Sequence, residues 1–184
     1  MVEVQSASAV IDFWFADDMR ARWFNADEAL DAQIRTRFES TWQAACAKQL
    51  DAWSETARGA LALTIVLDQF PLNMYRGTAR SFATEAEAIR ISRDAVRRGL
   101  DRRMPGERQA FLYMPLMHSE ELADQDECVR LFAAAGLSDN LRFARHHREL
   151  IRRFGRFPHR NAILGRVSTP EELEYLDSKE AFTG

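Results

Sequence analysis

Ala60-Leu-Ala-Leu-Thr-Ile-Val-Leu67 is apolar on nearly every side, and a helix tolerates that only where other helices surround it. The stretch is expected to be the central core helix of a helical domain. Outward from it, apolar residues recur every three or four positions. All five prolines and most of the eight glycines fall between or at the ends of these segments, which is helical punctuation. Thr84 with Glu87, and Thr169 with Glu172, read as capping boxes, the second with Pro170 at the first helical position. Ser138 opens a helix that Gly155 closes, and Gly136 closes one that begins near Ser119. The pattern predicts helices near 6–16, 26–48, 57–69, 84–98, 107–117, 119–135, 138–154 and 170–178, with no strand-like alternation beyond four residues. Short turns make neighbours antiparallel, so 84–154 reads as two successive helical hairpins. A solenoid-like stack follows from that, although the two hairpins share no residue pattern that aligns.

At 184 residues and 46% hydrophobic, the chain suits one domain, residues 1–184, with a core of ordinary size. A charged fraction of 29% and a net charge of -3 give no basic footprint for nucleic acid. Cys46 and Cys128 lie far apart in sequence, which leaves no zinc knuckle, redox pair or disulfide framework and fits a reducing, cytoplasmic setting. Glu3 and no lysine or arginine precede the apolar run at 10–15, and other apolar runs are short. Neither a secretory leader nor a membrane span is expected.

Several polar residues stand out against this scaffold. Asp68 directly follows the core helix, where the macrodipole disfavours a negative charge by roughly 0.3–1 kcal/mol. It calls for a cationic partner, and Arg76 and Arg80 are near in sequence; the result is either a loop clamp or a ligand site. In Phe111-Leu-Tyr-Met-Pro-Leu-Met-His-Ser-Glu-Glu121 a Met-aromatic stripe, ordinary core material, runs into His118. With Ser119 as a cap, His118 lies just outside the positive end of the next helix, and Glu120, Glu121 and Asp124 are explained by the dipole. His118 with Glu121 is at most half of a metal or acid-base site, since no spaced histidine pair accompanies it; no metal and no cofactor are expected. His147 falls on an apolar stripe and reads as a core histidine, with His146 toward solvent. Between Arg142 and Arg166 stand eight arginines and one acid, while Glu120 to Glu127 holds five acids and no base. Neutralisation across the hairpin accounts for part of this asymmetry. The arginines of Arg153-Phe-Gly-Arg-Phe-Pro-His-Arg-Asn161 sit instead on a turn, where guanidinium groups suit bidentate capture of carboxylate or phosphate.

Taken together, Asp68-Gln-Phe-Pro, Asn73-Met-Tyr-Arg-Gly-Thr-Ala-Arg80, Tyr113-Met-Pro-Leu, His118-Ser-Glu and Phe154-Gly-Arg-Phe-Pro-His-Arg-Asn161 resemble the bacterial family called domain of unknown function 924. Val10-Ile-Asp-Phe-Trp-Phe15 and Arg22-Trp-Phe24 extend the resemblance over nearly the whole chain. It implies an all-α, tetratricopeptide-like α-α superhelix and no established activity. Leu72 departs from the family pattern, which has arginine there. Function has to be argued from the site, and the motif residues on turns are too polar for core packing alone. The leading expectation is a binding module whose cleft holds a small anionic ligand or an acidic peptide through Asp68, Asn73, Arg76, His118, Arg156, His159, Arg160 and Asn161. A second is an enzyme with His118 or His159 as acid or base beside Glu120 or Glu121. A third is a structural or assembly protein that forms a homo-oligomer, its motif residues buried and paired with each other. Nucleic acid and membrane are not expected partners.

Overall fold

The computed structural model describes residues 3–25 and 27–182, and all regular structure among them is helical. The chain opens with α1 (Ala7–Trp14), α2 (Asp17–Arg20) and α3 (Glu28–Cys46). It continues through α4 (Ala57–Thr64), a π-helical turn at Ile65–Gln69 and α5 (Phe70–Met74). The second half comprises α6 (Glu85–Arg97), α7 (Gly106–His118), α8 (Leu122–Ala134), α9 (Ser138–Phe154) and α10 (Pro170–Leu176).

The caps follow side-chain chemistry. The Ser6 hydroxyl accepts from Ala9 N, the Asp27 carboxylate from Leu30 N and the Thr56 hydroxyl from Gly59 N, each meeting one donor that the first helical turn leaves without a partner. Thr169 forms the complete capping box with Glu172. Gly136 and Gly155 end α8 and α9 at φ +69° and +70°, a backbone region costly to any side chain with a Cβ. Gly59 is needed for a different reason: a Cβ there would stand 2.1 Å from Trp53 O.

Packing places α4 at the centre as expected, with 59–64 buried throughout and α1, α6 and α7 against it. Consecutive helices α6, α7, α8 and α9 pack in sequence, while α3 lies on α5. The aromatic heart joins Phe13 and Trp14 of α1 with Phe38, Phe70 and Phe111 of α3, α5 and α7, with ring centroids 4.6–6.3 Å apart among the contacting pairs. A smaller cluster of Leu150, Ile151, Phe157 and Tyr175 closes α10 onto α9. Among the described residues no helix is long and apolar enough to cross a membrane, and both cysteines are free.

Three local expectations are corrected. The core helix does not stop at 69: Phe70 N donates to Ile65 O five residues back, so a widened turn carries the chain past Pro71 into α5. Proline lacks the donor an α-helix would require, and the π turn absorbs the misfit. Thr84 precedes α6 without capping it, because its hydroxyl donates to Leu67 O at 2.6 Å and accepts from Trp42 Nε1 at 3.1 Å. Ser119 does not cap α8, which begins at Leu122 directly after Glu121, whereas Ser138 opens α9 and Gly155 closes it as expected.

Candidate functional site

Asp68 leaves the π turn on the side facing the last residue of α7. His118 Nδ1 donates to Asp68 Oδ1 at 2.8 Å, and Gln69 Nε2 donates to the other carboxylate oxygen. A carboxylate only accepts, so the shared proton belongs to Nδ1 and the lone pair of the neutral ring is on Nε2. The Asp68 side chain is 3% exposed and the His118 ring 18%, so a buried acid orients an imidazole that still reaches solvent. Burial works to lower the His118 pKa, but the charge and hydrogen bond of Asp68 outweigh it and the net shift is upward.

Two further groups complete the cluster. Arg160, on the short turn Pro158–Arg160, donates through Nη1 to Glu85 Oε2 and through Nη2 to His118 O, both at 2.9 Å. The second bond satisfies a carbonyl at the end of α7, where a cation is favoured. The guanidinium lies over the rings of Phe82 and Phe157, 4.5 and 4.7 Å from their centroids. Glu85 opens α6; burial pushes its carboxyl up, and the nearby Arg160 and His118 charges pull it back in part. Asp68, Glu85, His118 and Arg160 thus interact from four separate segments. Glu85 was not among the candidates, because an acid in a first helical turn looks like ordinary dipole compensation.

The remaining candidates fall elsewhere. Asn73 Nδ2 donates to Gln69 O, and Arg76 grips Asp31 with two bonds of 2.7 and 3.0 Å, which fastens α5 to α3. Arg80 stacks on Tyr75 and Trp42. Neither arginine reaches Asp68, whose partner is fifty positions away in sequence. Glu120 accepts from Phe157 N and from both terminal nitrogens of Arg166, bracing the start of α8 against the loop after α9. Glu121 is exposed. His147 is a core histidine, as expected: it is buried, its Nδ1 lies 2.9 Å from Phe143 O, and burial pushes it down to about 3. His159 is held between Phe157 and Phe182, and burial pushes it down to about 4.

Arg156 and Asn161 belong to a buried clamp around Glu172. That carboxylate, 2% exposed, accepts from Arg156 Nε and Nη2 at 2.6 and 2.8 Å, from Thr169 N at 2.7 Å and from Asn161 Nδ2 at 3.1 Å. The Arg156 bond first, with the backbone and amide donors after it, holds the acid down to about 2 against burial. A folded-state pKa below the usual 4.5 adds stability above that value and loses it as pH falls toward 2. The contribution at neutral pH is about 2 kcal/mol after allowance for the partly exposed guanidinium. Glu172→Gln should therefore flatten the acid limb of stability between pH 5 and 2; an unaltered slope in urea titrations would put the acid sensitivity elsewhere.

Among the described residues, no three His, Cys, Asp or Glu side chains converge as a metal site. The family model described as a bacterial protein of unknown function (DUF924) matches residues 10–180. The solved structure of a protein of unknown function from Agrobacterium tumefaciens is similar over 93% of this chain and 96% of its own, at 41% identity and a TM-score of 0.89. No curated protein matches the chain.

Proposed function

For a chain that belongs to the bacterial family of unknown function DUF924, we propose that the Asp68–His118 pair is an acid-base site acting on a small molecule. The observation that carries this reading is the 2.8 Å bond between Asp68 Oδ1 and His118 Nδ1. It fixes the ring, leaves Nε2 as the working nitrogen and stabilises the imidazolium formed when His118 takes a proton. Asp68 orients and Glu85 adds negative potential, while Arg160 secures the end of α7 and keeps the His118 pKa from rising further. The raised pKa keeps the group near the range where one imidazole can both accept and return a proton.

An anion-binding cleft has less support. Arg76, Arg156, Arg160 and Arg166 each hold a carboxylate of this chain, so an anionic ligand would have to displace an internal partner. The successive packing of α6 to α9 is compatible with a tetratricopeptide-like superhelix whose end carries the site, and free cysteines accord with a cytoplasmic setting.

The test is a panel of nitrophenyl esters, phosphates and glycosides, together with deuterium exchange at carbon acids. Any turnover should follow the titration of His118, and His118→Ala and Asp68→Asn should each lower it by about 100-fold or more with the fold retained. Turnover that survives His118→Ala, or none with any class, would transfer weight to a structural role.

A further inference from the structure

A cavity of about 340 Å³ opens where the turn after α9 meets α10, walled by His159, Ala162, Ser168, Leu173, Leu176 and Phe182 among others. Its lining includes none of Asp68, Glu85, His118 or Arg160, so it is separate from the acid-base cluster. We propose that this cavity is a second binding site, for an uncharged small molecule with an apolar body and one hydrogen-bond acceptor.

The volume lies at the lower end of the range for small-ligand pockets, and the walls have their usual composition, apolar with few polar groups. Among the described residues, no charged side chain lines the cavity. Arg156 and Arg166, from the same stretch of chain, are already paired with Glu172 and Glu120. A charged ligand would lose its hydration there without gaining a counterion. The polar demand comes from His159. Its Nδ1 is buried with no partner among the described residues, and an orphaned N–H is rarer and costlier than an unused lone pair. The proton of the neutral ring therefore belongs on Nε2, which is left to donate to an occupant. Ser168 is a second donor: its Oγ accepts from Asn161 Nδ2, and its own proton takes no acceptor among the described residues. Phe182 and Leu176 offer surface to the apolar body. Two donors, no ion and an apolar wall select a carbonyl-bearing, ring-sized molecule.

Benzamide serves as the probe, with benzoate and benzylamine as its charged counterparts and carbon-proton NMR of the Phe182 ring, a wall of the cavity kept in every variant, as the readout. Benzamide should give a saturable shift, with benzoate and benzylamine at least about tenfold weaker. His159→Phe preserves an aromatic filler between Phe157 and Phe182 and should weaken benzamide about tenfold, the equivalent of one hydrogen bond. Leu173→Lys, at a position 53% exposed, leaves the fold intact and should turn the preference toward benzoate. The absence of a saturable shift, equal binding of all three probes, or benzamide binding unchanged in His159→Phe overturns the proposal. His118→Ala should leave benzamide binding as it is, so this result stands or falls apart from the acid-base reading.

Discussion

Phe70→Ala is expected to cost about 3–5 kcal/mol, the largest stability loss of any single replacement considered. Phe70 is fully buried, with ring centroids of Phe38, Trp14 and Phe13 at 4.6, 5.7 and 6.3 Å. Its removal takes a shared partner from α1 and α3 at once, and those helices are held by their own packing partners and cannot simply close the gap. The melting temperature should fall by roughly 10 °C for a chain of this length, and the urea midpoint should move with an unchanged slope. A loss under about 1 kcal/mol would mean that the aromatic heart collapses around the vacancy.

Arg160→Met is the second large effect, and it acts on stability and chemistry together. Methionine keeps much of the apolar contact with Phe82 and Phe157 but abandons Glu85 and the His118 carbonyl. Removing one member of an ion pair whose guanidinium side is 7% exposed should cost about 2–4 kcal/mol. Because the guanidinium lowers both the His118 and the Glu85 pKa, both groups should titrate higher in the variant. A raised histidine adds stability below its unfolded pKa and loses it as pH rises through the folded value, while a raised carboxyl penalises the fold above its unfolded pKa. Both terms have the same sign, so the cost of Arg160→Met should be smaller at pH 5 than at pH 8. Histidine NMR titrations and urea melts at the two pH values measure this; an unmoved His118 titration would separate Arg160 from the site.

The helices were readable because their signals are local. Gly136 and Gly155 terminate helices by a backbone conformation that needs no tertiary partner, and Thr169 with Glu172 closes its box within four residues. Thr84 carries the same local signal, yet Trp42 and Leu67 claim its hydroxyl from elsewhere in the core. The site failed to show in the sequence for that reason. Asp68 looked toward Arg76 and Arg80, which are close along the chain, but Asp31 and the Tyr75 and Trp42 rings hold those two. His118 was legible as a candidate, and its pairing with Asp68 was not. The excess of arginines near α9 was visible from composition; which of them face an acid depends on where 120–127, Glu85 and Glu172 come to lie.

The π turn at Ile65–Gln69 also separates the aim of the site from the packing of the fold. An i→i+5 turn houses one residue more than an α turn, so the stretch behaves as a one-codon insertion that α4 and α5 absorb without exchanging their buried faces. Only the residues within the turn are re-aimed, and Asp68 is among them. The aim of the acid that orients His118 is therefore set apart from the scaffold that supports it, and deleting one residue of the turn should dismantle the dyad while the helices around it continue to pack as before.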